Sequence, residues 1–236
     1  MPKIATSSGE ILYKTIPLYR GFKKIDKDLA TENLLLLKKV LDAEGIPFML
    51  IAGTLLGAVR EGDFITHDED VDLALLSEDK QRLLNTLPKI LDVGFVIARY
   101  NRRGVISVMR NGEYIDLYFF APHDKGSRSC DGWIVLEHFL LDTAPFPFKN
   151  TEFLAPREFR EYLLCSYGLN WQTPVVWNNY QMPKWRILLL QLKEHIKDFL
   201  PDWLYFYLAR PAERRHEKLC NERHARYYAL KNNQKS

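Results

Sequence analysis

The stretch that decides the fold reads Gly53-Thr-Leu-Leu-Gly-Ala-Val-Arg-Glu-Gly-Asp-Phe-Ile-Thr-His-Asp-Glu-Asp-Val-Asp-Leu73. Near its end, Asp70 and Asp72 are separated by one apolar residue, and an apolar run follows. Alternate side chains of a strand share a face, so the two carboxylates are predicted to point the same way. Two such carboxylates repel each other unless a cation or proton lies between them, and Mg²⁺ is typically held by one or two carboxylates together with substrate phosphates. The pattern indicates a metal-dependent phosphate-transfer site; the alternative is a solvated strand end.

A third acid of interest is Asp116, which lies in a run from Glu113 to Phe120 that is apolar enough to be a central strand. A carboxylate is rarely placed on such a strand without a partner. If this strand lies beside the one that carries Asp70 and Asp72, the three acids converge on one metal cluster. The alternative is an acid at the edge of a hairpin.

Residues upstream of the acids are suited to binding phosphate. Gly53 and Thr54 are predicted to form a turn whose N–H groups and hydroxyl face phosphate oxygens, although ordinary tight turns look the same. Arg60 has the planar fork that matches phosphate, the alternative being an ion pair with Glu61 or Asp63.

Three more residues have both a functional and a structural interpretation. His67 stands next to the acids and is interpreted as a scaffold residue in preference to a base or ligand. Arg102 and Arg103 lie in a predicted hairpin loop, where they either grip an anionic substrate or are simply exposed.

Composition narrows the class of protein. The chain has 236 residues, of which 47% are apolar, and no segment approaches the roughly 18 consecutive apolar residues of a spanning helix. The N-terminus lacks an apolar signal region, and three scattered cysteines without a C-x-x-C pair favour a reducing compartment. We therefore expect a cytoplasmic protein. The net charge of +3 is too small to indicate a nucleic-acid partner.

Periodicity and turn residues predict an α+β fold: a mixed β-sheet flanked by helices, followed by a helical C-terminal third. Strands are predicted over residues 47–52, 70–76, 95–99, 105–109, 114–120 and 133–139. Helices are predicted over residues 29–44, 77–91 and 156–168, and beyond Pro183 with interruptions at Pro201 and Pro211.

The chain is predicted to divide into a catalytic domain, 1–180, and a helical basic appendage, 181–236. The appendage contains twelve Lys and Arg and six Asp and Glu, a net charge of +6, which leaves −3 (+3 less +6) for the rest. Basic residues interleaved with aromatic ones are typical of segments that lie on an anionic membrane surface. The favoured alternative is an appendage packed on the core with a solvated basic face.

Together these motifs resemble the LicD/fukutin family of the nucleotidyltransferase superfamily. The family pattern Gly-Thr-Leu-Leu-Gly-Ala-x-Arg, a glycine-containing turn and Phe-Ile-Pro-Trp-Asp-Asp-Asp-Ile-Asp is similar to residues 53–72. The later Ile115-Asp-Leu117 and the Tyr-Gly and Trp-x-x-Pro motifs within residues 156–174 also fit, so the resemblance covers roughly residues 34–174. Two departures stand out: Thr66-His67 replaces Pro-Trp, and Glu69 replaces the middle Asp. Both lie off the face assigned to metal, but they put the substrate pocket and phosphate handling in doubt.

The resemblance implies a nucleotidyltransferase-like catalytic domain that transfers a phosphorylated alcohol from a CDP-linked donor to a sugar hydroxyl, releasing CMP. It implies that Asp70 and Asp72 hold Mg²⁺ and that Asp116 is a third ligand or the base. Asp68 would support the metal site, while Gly53, Thr54 and Arg60 position phosphates. The acceptor would be a surface glycan or its lipid-linked precursor. The competing hypotheses are nucleotidyl transfer to a small molecule or polymer, and an inactive glycan-binding or assembly partner.

Overall fold

The computed structural model describes residues 1–16, 18, 23–124, 126–175, 183–197 and 199–233. Its strands are β1 (Lys3–Thr6), β2 (Gly9–Leu12), β3 (Met49–Leu50), β4 (Val71–Leu76), β5 (Val96–Asn101), β6 (Val105–Arg110), β7 (Glu113–Pro122), β8 (Ser127–Cys130), β9 (Trp133–Leu136), β10 (Thr143–Phe148) and β11 (Thr151–Pro156). Its helices are α1 (Lys27–Ala43), α2 (Ala52–Arg60), α3 (Lys80–Asp92), α4 (Glu137–Leu141), α5 (Phe159–Tyr167), α6 (Lys184–Lys197) and α7 (Asp202–Asn233).

Most of the strands form one mixed sheet. Its order is β10-β11-β3-β4-β7-β6-β5, and β8 and β9 continue from β7. The pairs β4–β7 and β11–β3 are parallel, whereas the other pairs of this sheet are antiparallel. Helices α1, α2 and α5 contact β7, β4 and β11, respectively. This architecture confirms the predicted α+β class.

The core explains why the centre of the sheet is so apolar. Strands β4 and β7 each have a partner on both sides, and most of their side chains are buried. Helix α1 buries Leu34, Leu37 and Leu41 completely, which is the helical spacing that the sequence indicated. Asp26 caps α1 by accepting hydrogen bonds from the N–H groups of Asp28 and Leu29. The acids of interest therefore stand on a rigid support.

Three local predictions were wrong. Gly53 and Thr54 lie in the first turn of α2, because the residues that follow bury an apolar face at helical spacing. The predicted strand 133–139 ends at Leu136, where α4 begins. Helix α7 runs through Pro211, a residue that removes one backbone donor but leaves the neighbouring helical hydrogen bonds in place.

The hairpin formed by β10 and β11 was not predicted. Its first strand contains Pro145 and Pro147, and proline is rare inside sheets. The structure places β10 at the edge of the sheet, where β11 is its one partner among the described strands. Proline is tolerated in an edge strand because its missing N–H can face the side on which no further strand needs a hydrogen-bond donor.

The last helix packs on the sheet domain. The Tyr227 hydroxyl donates to Glu161 Oε2 at 2.9 Å, and Lys231 Nζ lies 3.0 Å from the same oxygen. At the other end, the hydroxyl of Tyr205, a buried residue, is 2.5 Å from Asn101 Oδ1. One side of α7 therefore packs on the sheet domain, and a membrane contact of its exposed residues stays a prediction. The predicted boundary between residues 180 and 181 lies outside the described residues, and the division into two domains stays a prediction.

Replacing Gly132 by alanine is expected to loosen α7. Gly132 has φ +77°, and a Cβ there would lie 2.8 Å from the Glu213 carbonyl oxygen in α7. Gly112 is the matched control, because its φ is +81° but nothing lies within 4 Å of its Cβ position. Left-handed strain costs each alanine variant roughly 1–2 kcal/mol. Only Gly132→Ala should also accelerate amide hydrogen exchange throughout α7; equal exchange in the two variants would contradict the docking.

Candidate active site

The three predicted acids meet at one edge of the β4–β7 pair. These strands run parallel with Asp72 opposite Asp116, and Asp70 comes just before β4. Carboxylate oxygens of Asp70, Asp72 and Asp116 all lie within 4.8 Å of one another. Asp72 and Asp116 are buried, and Asp70 is half-buried. The convergence follows from the parallel pairing.

Burial and like charge dominate the electrostatics of this acidic cluster, which consists of Asp70, Asp72 and Asp116. The pKa of Asp70 is raised well above its usual value by burial, and then by the charges of Asp72 and Asp116. The pKa of Asp72 is likewise raised by burial and by the charges of Asp68 and Asp116, against hydrogen bonds from the Gly53 N–H and from Tyr118. A divalent cation among these oxygens would relieve both effects. An all-oxygen set of carboxylates fits Mg²⁺.

Asp116 has a polar environment of its own. Arg99 Nη2 donates to Asp116 Oδ2 at 2.8 Å, and the Ser107 hydroxyl donates to Oδ1. Arg99 Nε also donates to Ser107 Oγ at 3.1 Å, while the Tyr118 hydroxyl donates to Asp116 Oδ2 at 3.2 Å. Burial, followed by the charges of the nearby carboxylates, raises the pKa of Tyr118, so this hydroxyl keeps its proton. Asp116 is thus held by a cation and two hydroxyls.

Sequence reasoning missed these three partners of Asp116, although part of the signal was present. The Asn111-Gly112 turn fixes the β6–β7 register, which places Ser107 opposite Asp116. The turn between β5 and β6 pairs Asn101 with Val105, and counting two residues away from it along each strand places Arg99 opposite Ser107. Both polar side chains could therefore have been assigned to the neighbourhood of Asp116.

Residues at the start of α2 form hydrogen bonds with Asp72 of the acidic cluster. The Gly53 N–H donates to Asp72 Oδ2 at 3.3 Å, and the buried Thr54 hydroxyl accepts from the Asp72 N–H at 2.8 Å. A Cβ on Gly53 would collide with Asp68 Oδ2, so glycine permits this close approach. The contact shown for Thr54 is therefore to the strand that carries Asp72. Its predicted role toward phosphate stays a prediction.

Other predicted residues lie at different places around the site. Asp68 adjoins Gly53 and raises the pKa of Asp72, but is not one of the three acids whose oxygens meet. Arg60 ends α2, and its Nη2 lies 2.5 Å from Glu61 Oε1, which is the ion pair named as the alternative.

The two loop arginines contact the C-terminal segment. Arg102 Nη1 donates to the Leu200 carbonyl at 2.7 Å and to Asp202 Oδ1 at 2.8 Å. Its guanidinium also lies 4.9 Å from the centre of the Tyr205 ring. Arg103 pairs with Asp131. Both side chains are therefore paired within the fold and mostly buried, which differs from the exposed loop arginines named as the alternative, and their role toward a substrate stays a prediction.

The loop between α2 and β4 is tethered through Asp63, and we expect this tether to depend on pH. Partial burial raises the pKa of Asp63, but hydrogen bonds from Lys149 and Lys27 lower it to about 2. A depressed pKa stabilises the fold above the unfolded value of about 3.9 and loses that effect as the pH falls toward 2. Because a third of the side chain is exposed, we expect Asp63→Asn to lower the free energy of unfolding by only about 1 kcal/mol at pH 7.

Urea unfolding at pH 7 and pH 3 checks the Asp63 prediction. The difference between wild type and Asp63→Asn should shrink at pH 3. Asp42→Asn, in an exposed pair with Lys38, is the control and should change little at either pH. A difference that is independent of pH would contradict the tether.

The model of the LicD/FKTN/FKRP nucleotidyltransferase domain matches residues 45–162, which is half of the chain and includes the whole acidic cluster. The chain belongs to this LicD/FKTN/FKRP family. The match confirms the resemblance drawn from the sequence.

Two curated human relatives illustrate the extent of the family likeness. Ribitol 5-phosphate transferase FKRP is 32% identical over 166 residues, covering 64% of this chain and 32% of that protein. Ribitol-5-phosphate transferase FKTN is 26% identical over 170 residues, covering 66% of this chain and 35% of that protein. The chain thus spans about a third of the length of these relatives.

Among solved structures, the chain is similar to the lincomycin-bound lincosamide antibiotic adenylyltransferase LnuA. The TM-score is 0.42 with 12% sequence identity, over 68% of this chain and 95% of that chain.

Proposed function

We propose that this LicD-family chain is an Mg²⁺-dependent enzyme that transfers a phospho-alcohol from a CDP-linked donor to a sugar hydroxyl and releases CMP. The observation that carries the proposal is the cluster of Asp70, Asp72 and Asp116, within a family whose curated relatives include ribitol-phosphate transferases. The phospho-alcohol class comprises phosphocholine, glycerol phosphate and ribitol phosphate. The acceptor would be a cell-surface glycan or its lipid-linked precursor, reached from the cytoplasmic side of a membrane.

The proposed transfer is a displacement reaction at phosphorus. The acceptor hydroxyl oxygen bonds to the phosphorus that carries the alcohol, the bond from that phosphorus to the CMP oxygen breaks, and the hydroxyl proton passes to a base. Mg²⁺ held by Asp70 and Asp72 would supply the positive charge that polarises the diphosphate and stabilises departing CMP. The chain's own groups fix the geometry: the Gly53 N–H orients Asp72, and Arg99 and Ser107 orient Asp116.

Asp116 would act either as the base or as a third metal ligand. Its oxygens already accept hydrogen bonds from Arg99, Ser107 and Tyr118, but a carboxylate has about four lone-pair sites and keeps room for a proton or a cation. Calorimetry on Asp116→Asn separates the roles. Unchanged Mg²⁺ affinity with lost transfer indicates the base, whereas lost affinity indicates the ligand.

A ligand screen tests the proposal without an acceptor. Thermal unfolding is followed with CDP-choline, CDP-glycerol, CDP-ribitol or CTP, each with Mg²⁺ and with EDTA. A ligand at 100 times its Kd stabilises the folded state by about 2.7 kcal/mol, so a true donor should raise the Tm only when Mg²⁺ is present. Asp70→Ala/Asp72→Ala should abolish that shift.

The same screen separates the competing functions. If CTP is the one ligand of the four that raises the Tm in the presence of Mg²⁺, nucleotidyl transfer from a nucleoside triphosphate is favoured. The absence of any Mg²⁺-dependent shift would favour an inactive glycan-binding or assembly partner and contradict the proposal.

A further inference from the structure

Helix α6 carries an exposed apolar stripe, which consists of Trp185, Leu188, Leu189, Leu192 and Ile196. Their side chains are between 51 and 65% exposed. At 3.6 residues per turn, the five positions fall within an arc of about 100° on one face of the helix. Large apolar side chains grouped on one exposed face mark an interaction surface.

The beginning of α7 continues this surface with aromatic residues. Trp203 is 71% exposed and Tyr207 is 64% exposed, and Phe206, which is 40% exposed, lies on the same face. Tyr205 is on the opposite side of the helix, where it is buried and contacts Asn101. The core contact of α7 thus fixes this aromatic group so that it faces away from the sheet domain.

Four described cations lie beside these residues, against three acids, Asp202, Glu213 and Glu217, of which Asp202 pairs with Arg102. Lys193 and Lys197 follow one edge of the α6 stripe. On α7, Arg210 and Arg214 are exposed on the same face as Trp203 and come one and two turns after Tyr207. Each helix therefore combines an apolar or aromatic patch with adjacent cations, and an anionic surface complements this arrangement.

We infer that the α6 stripe and the aromatic start of α7 dock on the surface of an anionic lipid bilayer. Interfacial helices bury apolar and aromatic side chains at the headgroup boundary, while Lys and Arg contact the lipid phosphates. Trp and Tyr are the residues most enriched at that boundary. Within the described residues no helix is both long and apolar enough to cross a membrane, so the contact would be peripheral. Docking would bring the proposed transferase to a lipid-linked acceptor, but the exposed residues support membrane binding whether or not the transferase activity is correct.

Sedimentation with vesicles of neutral phosphatidylcholine, or of phosphatidylcholine with 30% phosphatidylglycerol, tests the inference. Wild type should bind the anionic vesicles at least tenfold more tightly, and added salt should weaken the binding. Leu188→Asn/Leu192→Asn should reduce binding at least tenfold. The matched control is Leu12→Asn/Leu141→Asn, which changes two leucines of similar exposure elsewhere and should bind like wild type.

Two further variants separate the contribution of charge to membrane binding from that of the active site. Arg210→Gln/Arg214→Gln should lose roughly tenfold on anionic vesicles and little on neutral ones. Asp72→Asn should bind vesicles like wild type, so a failure of the transferase proposal would not alter this result. Equal binding by the two leucine pairs would overturn the inference. So would self-association that depends on the α6 stripe without vesicle binding, because a second copy of the chain would then cover the surface.

Discussion

Asp72→Asn is expected to lower phospho-alcohol transfer by about 10³-fold and to leave the fold at least as stable as wild type. Transfer falls because the substitution removes one of the two carboxylates assigned to the metal. Stability is retained because asparagine still offers an oxygen to the Gly53 N–H, while a buried charge beside Asp68 and Asp116 is lost.

The stability gain should have a defined pH dependence. The folded-state pKa of Asp72 is raised, so its contribution to stability is fully present below the unfolded value and is lost as the pH rises through the folded value. Without divalent cation, Asp72→Asn should therefore exceed wild type in Tm by more at pH 8 than at pH 5. Asp42→Asn is the surface control and should match wild type in both transfer and Tm. An Asp72→Asn protein that keeps more than a tenth of the activity would contradict the metal assignment.

Arg99→Gln is expected to destabilise the metal-free protein by about 2–3 kcal/mol, because it leaves the buried Asp116 carboxylate without its cation. Arg157→Gln is the matched control. Arg157 Nε lies 2.7 Å from Asp142 Oδ1, but both side chains are more than half exposed, so we expect a cost of less than about 1 kcal/mol.

Two rescues identify the cause of the Arg99 effect. Arg99→Gln/Asp116→Asn should recover most of the lost stability, because the unpaired charge is gone. Saturating Mg²⁺ should raise the Tm of Arg99→Gln by more than it raises that of wild type, since the cation takes over part of the arginine's role. If neither change restores stability, Arg99 acts through packing and not through charge.

The sequence was sufficient for the acidic cluster because the information is local. Asp70 and Asp72 are separated by one residue at the start of a strand, and Asp116 is flanked by Ile115 and Leu117 within an apolar run. Their meeting still required β4 and β7 to be neighbours, which pattern alone left as a condition. The parallel pairing in the structure fulfils it.

The sequence was insufficient where tertiary packing decides local structure. Gly53 was predicted to lie in a turn, yet it lies in α2 because the residues that follow bury an apolar face. Gly53 and Gly57 are required there for another reason: the Asp68 carboxylate approaches one and the Asp63 carbonyl approaches the other. The sequence did not predict β10, which contains Pro145 and Pro147 and accepts them because it lies at the edge of the sheet. Beyond Pro183 the sequence predicted only helix, and the fold shows that the apolar stripe of α6 is exposed.

Phosphorus NMR of the reaction products tests the central claim most directly. The protein is incubated with Mg²⁺ and CDP-choline, CDP-glycerol or CDP-ribitol, with a glycan acceptor or with water as a slow substitute, beside Asp72→Asn as the blank. We expect the diphosphate signals of one donor to disappear in the wild-type sample alone, while CMP and a phosphoester of the alcohol appear together. A parallel sample contains CTP in place of the CDP-alcohols. Pyrophosphate released in that sample, beside unchanged CDP-alcohols in the others, would contradict the transferase assignment.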